Sequence, residues 1–228
     1  MNNLCVIPAR GGSKRIPRKN IKEFCGKPII AYSIEAAKES NIFSDIIVST
    51  DDEEIASVAK KYGATVPFIR QNSLADDFTG TTPVIANAIE EMANLGKTYN
   101  YICCIYATAP FVNSQTLQLG YEKLLNSNKN FAFSVCAYSS PIFRSFELLN
   151  DGSVQMFWQE NFNKRSQDLP KAYFDAAQFY FGKPEAFLQN MQIFAPHSIG
   201  VEQDIAQDID TIEDWHMAEA LYKAHFCK

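Results

Sequence analysis

Short apolar runs alternating with stretches of helical period set the fold class of this 228-residue chain. Leu4-Cys5-Val6-Ile7 is an apolar run stopped by Pro8, long enough for a buried strand and too short for a helix. Residues 29–39 carry apolar side chains at helical spacing, and 46–49 form a second apolar run. Residues 52–62 read as a second helix, with Asp51 or Asp52 as its cap and Gly63 past its end. The same reading predicts strands over 66–69, 101–106 and 131–137, and helices over 82–95 and 114–125. Pro83 suits the first turn of the 82–95 helix, and Gly96 closes it. Strands alternating with helices build a mostly parallel sheet covered on both faces, so the expected class is α/β, three-layered and Rossmann-like. Ligands of such sheets sit beyond the carboxyl ends of the strands. The site is therefore expected among the loops 8–20, 49–52, 69–82 and 107–113.

After residue 131 the pattern changes. Residues 139–171 mix Phe143, Phe146, Phe157, Trp158 and Phe162 with polar residues at no clean period. This reads as an excursion of antiparallel strands and loops. Its aromatics suit contact with a second copy of the chain, a homodimer, or else extend the core. Late strands are expected over 176–181 and 197–201. A terminal helix is expected over 211–226, with Thr211 capping and Asp214 as its box partner. With no repeat and no low-complexity tract, residues 1–228 read as a single domain carrying one excursion near 139–171.

A net charge of −5 argues against a nucleic-acid partner. Against that background Arg10, Lys14, Arg15, Arg18 and Lys19 form a local basic cluster sized for phosphate. The six cysteines show no CxxC spacing, and Cys5, Cys103, Cys104 and Cys136 sit in apolar runs. They read as reduced core thiols of a cytoplasmic protein. No stretch of apolar residues is long enough to predict a membrane span. His197, His216 and His225 show no metal-ligand spacing, and the latter two are expected on the surface.

The chemistry concentrates in Ile7-Pro8-Ala9-Arg10-Gly11-Gly12-Ser13-Lys14-Arg15-Ile16-Pro17-Arg18-Lys19-Asn20. A strand feeds a Gly-Gly turn, whose N–H groups can approach an anion closely, and the following cations supply charge-assisted bonds to phosphate. The spacing fits neither a Walker A loop nor a dinucleotide fingerprint. The plainer reading is a solvated basic loop. The run resembles the N-terminal signature of the CMP-sialic acid synthetase family, close to [IV]-P-A-R-x-x-S-K-x-[IL]-x-x-K-N, and the resemblance continues along most of the chain. It implies a reaction in which the anomeric hydroxyl of a nine-carbon acidic (nonulosonic) sugar attacks the α-phosphate of CTP and pyrophosphate leaves. It also implies that Arg10, Lys14, Lys19 and Asn20 hold the triphosphate, with Ala9, Gly11, Gly12 and Ser13 in the nucleotide loop.

Further segments extend the resemblance. Arg70, within Pro67-Phe68-Ile69-Arg70-Gln71, corresponds to the base pocket, and Thr82 to a nucleotide contact. For Thr82 the plainer role is a helix cap, as it is for Asp51 and Asp52. Ile105-Tyr106-Ala107-Thr108-Ala109-Pro110 stands where the family has Leu-Gln-Pro-Thr-Ser-Pro. Thr108 fits, whereas Tyr106 replaces a sugar-contacting Gln. Lys164-Arg165-Ser166-Gln167-Asp168 and Asp175-Ala176-Ala177-Gln178-Phe179-Tyr180 correspond to the family's sugar-lining segments, with Asp-Ala in place of Asn-Gly. By resemblance Tyr106, Thr108, Arg165, Gln167, Asp175, Gln178 and Tyr180 bind the sugar, and the departures resemble the pseudaminic acid branch. Arg165 is the candidate for the sugar carboxylate, or a surface partner of Asp168.

Asp208 and Asp210 are two apart, which on extended chain puts both carboxylates on one face. That suits Mg²⁺, held by one or two carboxylates plus substrate phosphates, and matches the family's Asp-x-Asp-[ST]-x-x-Asp. The plainer reading is a turn or helix cap. The rival functions are the same transfer to N-acetylneuraminic, legionaminic or 3-deoxy-octulosonic acid, a sugar-1-phosphate nucleotidyltransferase, and a nucleotide-binding regulatory module without turnover.

Overall fold

The computed structural model describes residues 2–76 and 79–227, so Asp77 and Phe78 of the 69–82 loop lie outside it. In chain order the elements are β1 (Asn3–Pro8), β2 (Glu23–Phe24), β3 (Lys27–Pro28), α1 (Ile29–Ser40), β4 (Asp45–Ser49) and α2 (Glu53–Tyr62). Then come α3 (Thr81–Asn94), β5 (Tyr101–Ile105), α4 (Ser114–Leu125), β6 (Phe131–Ala137), β7 (Phe146–Leu148) and β8 (Val154–Met156). The chain ends with β9 (Tyr173–Gly182), α5 (Pro184–Leu188), β10 (Ser198–Glu202) and α6 (Ile212–Phe226).

Six strands form the central sheet in the order β10-β6-β9-β5-β1-β4. Parallel pairs join β4 to β1, β1 to β5 and β6 to β10, while β9 runs antiparallel to both neighbours. The period-2 alternation of strands divides the core. Cys5, Ile7, Cys103 and Ile105 pack on one face with Ile30 and Ile34 of α1, Ile55 of α2 and Leu117 of α4. Leu4, Val6, Ile102 and Cys104 pack on the other with Ile85 and Ala88 of α3 and Phe187 of α5. Because both faces are covered, the strands of this sheet read as continuous apolar runs. A third cluster seats Trp215 of α6 against Phe24, Ile16 and Ile209.

Local signals explain most boundaries. Asp52 caps α2, its carboxylate accepting the Ile55 N–H at 2.9 Å, and Gly63 ends that helix at φ 98°. Thr211 and Asp214 form the expected capping box of α6. The predicted strand at 66–69 does not form. Thr65 alone bridges Ile47, Pro67 has no N–H to offer a ladder, and Ile69 is exposed. The excursion is a β7–β8 hairpin with short 3₁₀ turns. Phe143 and Phe157 meet Trp158 edge-on at 5.3 and 5.9 Å, and among the described residues none of the excursion's aromatics joins a core cluster. Phe146, Leu148, Val154, Phe157 and Phe162 stay exposed. The reading that these aromatics extend the core is thereby corrected. The two short strands pair only with each other and form a sheet separate from the central one.

All six cysteines are free thiols, with Cys5, Cys103, Cys104 and Cys136 buried. Among the described residues no helix is long and apolar enough to cross a membrane. His216 and His225 are exposed on α6, as expected.

Candidate active site

A cavity of about 480 Å³ opens past the carboxyl ends of β1 and β5. Its wall takes Pro8, Arg10, Ser13, Lys14, Arg15, Lys19 and Asn20 from the basic loop, and Arg70, Leu74, Asp76, Thr79, Gly80 and Thr81 from the 69–82 loop. Tyr106, Ala107 and Thr108 follow β5, and Asp210 closes one side. Arginines and lysines outnumber the carboxylates, so the cavity is built for a polyanion.

The loop is held open by bonds to the rest of the fold. The Ala9 N–H continues the sheet by donating to the Ser49 carbonyl at 2.9 Å. The Gly11 N–H donates to the Asp51 carboxylate at 3.0 Å. A Cβ on Gly11 would lie 2.7 Å from an Asp52 oxygen, so a larger residue there would push the Asp52 side chain away from its bonds to Arg18 and to the start of α2. Arg18, at φ 56°, donates two bonds to Asp52 at 2.6 and 2.8 Å and another to Glu54. The buried Asn20 amide donates to the Arg10 carbonyl at 2.9 Å, and the Lys19 ammonium donates to the Ile209 carbonyl at 2.6 Å. Arg10 donates to the Asp76 carbonyl.

These bonds correct the nest expected at the Gly-Gly turn. The Ala9 and Gly11 N–H groups are occupied, and Ala9, Gly11 and Gly12 do not line the cavity. Side chains dominate the anion-facing wall. Thr82 is corrected in the same way. Gly80 occupies the cap position of α3, and Thr81 rather than Thr82 faces this cavity, whereas Thr82 lines the adjoining second cavity.

Arg70 is 4% exposed, and its guanidinium lies 3.9 Å from the Asp51 carboxylate. Burial pulls its pKa below the usual arginine value, Asp51 opposes that pull, and Arg10 adds to it.

Asp210 pairs with Arg15 at 2.9 Å and Lys19 at 3.6 Å. Asp208 does not line the cavity, yet it feels the same charges. Desolvation and then the neighbouring Asp210 carboxylate raise its pKa above the usual range. Two carboxylates that repel each other beside a polyanion pocket are a donor set a divalent cation would stabilise. Among the described residues no cluster of three or more metal-ligating side chains exists, so such an ion would depend on phosphate oxygens as well.

A second cavity of about 240 Å³ adjoins the first through Thr81 and Tyr106. Asp175 and Tyr180 supply its polar side, and Phe187, Ile193 and Phe194 its apolar side. The Tyr180 hydroxyl donates to Asp175 at 2.5 Å and shares a hydrogen bond with Tyr106, whose hydroxyl also lies 3.1 Å from the Thr81 hydroxyl. Burial raises the Tyr106 phenol to about 12, so this row of hydroxyls stays neutral across the physiological range. The Asp175 carboxylate also accepts the Ala177 N–H at 3.0 Å, which holds Ala177 at φ 52° where β9 bulges.

Of the residues matched to the sugar side, Tyr106, Asp175 and Tyr180 meet in the second cavity, whereas Thr108 lines the first. Gln178 does not reach either cavity. It is fully buried, donating to the Ala176 carbonyl at 2.9 Å. Arg165 and Gln167 lie on the exposed excursion outside both cavities, and Arg165 forms a two-bond pair with Asp168 at 2.7 and 3.0 Å. Sequence reasoning missed Thr81, Arg15 as a partner of Asp210, and the wall of Phe187, Ile193 and Phe194. Thr81 was one residue from the expected helix start. The apolar wall gave no periodic signal, because short α5 and an irregular turn build it.

The Cytidylyltransferase family model matches residues 4–227. This chain is a member of the cytidylyltransferase family. It is 48% identical over 227 residues to the pseudaminic acid cytidylyltransferase of Campylobacter jejuni subsp. jejuni serotype O:2, covering 99% of this chain and 98% of that one. It is 37% identical over 222 residues to the CMP-N,N'-diacetyllegionaminic acid synthase of the same organism, covering 96% and 94%. Among solved structures, CMP:2-keto-3-deoxy-manno-octonic acid synthetase complexed with CTP superposes with a TM-score of 0.72 at 15% identity, covering 99% of this chain and all of that one. That likeness bears on the fold, a mostly parallel sheet with helices. The chain is thus a nucleotidyltransferase, and the regulatory-module reading falls away.

Proposed function

We propose that this cytidylyltransferase moves CMP from CTP to pseudaminic acid and releases pyrophosphate. Full-length similarity to the Campylobacter pseudaminic acid enzyme carries the choice of sugar, and the Tyr106–Tyr180–Asp175 row supports it. Arg10, Lys14 and Lys19 neutralise the triphosphate. Removing charge repulsion and fixing geometry is most of what such a transfer needs. Ser13, Asn20, Arg70 and Thr81 complete the nucleotide wall. The anomeric oxygen of the sugar bonds to the α-phosphorus, the bond from that phosphorus to the bridging oxygen breaks, and the hydroxyl proton passes to water. Asp208 and Asp210 would hold Mg²⁺, which supplies charge neutralisation at the phosphates.

The sugar takes the second cavity, with polar groups against Asp175 and Tyr180 and its methyl groups against Phe187, Ile193 and Phe194. Arg165 and Gln167 reach a sugar only if the excursion lies across another copy of the chain, which fits a homodimer joined by the exposed hairpin face. The test is pyrophosphate release from CTP and Mg²⁺ with pseudaminic, legionaminic and N-acetylneuraminic acids offered separately. Pseudaminic acid should give the highest kcat/KM. Release with another acid alone would replace the sugar, and release with none would remove the nonulosonate reading.

A further inference from the structure

The Ser49-Thr50-Asp51-Asp52 end of β4 carries adjacent carboxylates with different work. Asp52 caps α2 and binds Arg18. Asp51 caps nothing and does not line the cavity. Its Oδ1 accepts the Gly11 N–H at 3.0 Å and lies 3.9 Å from the Arg70 guanidinium. That one oxygen therefore touches both sides of the nucleotide cavity, the basic loop through its backbone and the 69–82 loop through its buried cation.

Arg70 has reason to need this partner. It is 4% exposed, its Nε has no hydrogen-bond partner among the described residues, and the Arg10 charge acts on it unfavourably. A buried cation held by no carboxylate shifts or recruits water. Its backbone is pinned independently, the Arg70 N–H donating to the Thr50 carbonyl at 2.8 Å. Loss of Asp51 would thus release the side chain and the loop while leaving the strand end in place.

We propose that Asp51 is a positioning residue for the nucleotide, setting the separation between the basic loop and Arg70 before CTP arrives. The inference rests on the reading that this cavity takes CTP. Asp51→Ala removes both contacts. Asp51→Asn keeps an oxygen for the Gly11 N–H and loses only the charge opposite Arg70. CTP binding to the full chain with Mg²⁺ and no sugar, followed by calorimetry, should weaken about tenfold or more in Asp51→Ala, the scale of one lost charge-assisted contact. Asp51→Asn should fall between that variant and the unmodified chain. The KM for CTP should rise more than kcat falls, and the KM for the sugar should stay within about twofold, since uniform binding to the nucleotide is what is lost.

A folded Asp51→Ala that binds CTP as the unmodified chain does would overturn the proposal, as would equal losses for CTP and sugar. If Asp51→Ala does not fold, unaltered CTP affinity in folded Asp51→Asn overturns it alone. Failure of the unmodified chain to bind CTP would instead remove the reading beneath it.

Discussion

The basic loop 9–20 and the excursion 139–171 are both largely irregular, yet they are built on opposite principles. The loop buries Ile16 and Asn20 and bonds to Ser49, Asp51, Asp52 and Ile209, which lie far from it in sequence. The excursion bonds chiefly to itself, as in the Asn161 amide to the Phe143 carbonyl at 3.0 Å and the Arg165–Asp168 pair, and leaves Phe146 and Leu148 in solvent. A segment tied to several core elements can hold charges at fixed positions before a ligand binds. A segment tied mostly to itself can present apolar surface to another molecule. The contrast predicts that changes in the loop act on chemistry and changes in the excursion act on assembly.

The largest effect should come from the loop side. Arg10→Ala or Asp210→Ala should lower kcat/KM about 10²–10³-fold, the cost of removing one electrostatic stabiliser of a developing charge. Melting midpoints should move little. Pyrophosphate release measures the first and scanning calorimetry the second. A loss under tenfold in both variants would mean that the loop is only scaffold, and the contrast would collapse.

Next is the excursion. Replacing Leu148 and Phe157 together by Asp places charge on a face that is exposed in one chain. Light scattering should then report a monomer where the unmodified chain is a dimer, with unfolding of each chain nearly unchanged. An unmodified chain that is already monomeric would remove the assembly half of the comparison.

How legible these segments were in the sequence follows from the same difference. Strands and helices of the sheet declared themselves because burial on both faces makes continuous apolar runs, as in Ile102 to Ile105, and because Asp52, Gly63 and Thr211 mark helix ends. The charge of the basic loop was legible, since its side chains carry it. Its backbone was not. Nothing local tells that Asp51, forty residues away, takes the Gly11 N–H, so a nest was expected where that donor is already engaged. Likewise Pro67 broke a plausible strand, and Gln178 turned inward because strand alternation is disturbed where β9 bulges. That Tyr106 and Asp175 share a cavity was foreshadowed only through resemblance, because hydroxyl rows have no sequence period. Arg165 and Gln167 were matched by motif, and motif spacing does not say which copy's cavity they approach.

A smaller effect tests how the loop is fastened. Arg18 holds the Asp52 carboxyl down at about 2, against an ordinary value of about 3.9. The stabilisation is therefore full above about pH 4 and is lost as pH falls toward 2. Arg18→Met should reduce stability at neutral pH by about 0.5–1 kcal/mol, discounted because Arg18 is partly exposed. It should also flatten the acid limb of stability between those pH values. An unchanged acid limb, followed by urea unfolding at several pH values, would show that the clamp contributes nothing to the fold.

The smallest expected change in stability belongs to Arg165→Ala. Arg165 is exposed and its partner Asp168 is three residues away, so the pair constrains no distant part of the chain. Exposed pairs of this kind contribute little, and the melting midpoint should stay where it is. The informative quantity is the KM for the sugar. If the excursion lies over a second copy's cavity, that KM rises while the KM for CTP holds, and the rise disappears in the Leu148, Phe157 background, where no second copy is present and the site is already incomplete. If the sugar KM is unmoved in the dimer, Arg165 is only a surface partner of Asp168. The excursion would then serve assembly alone, and the division between a chemical loop and an assembling arm would be sharper than resemblance suggests.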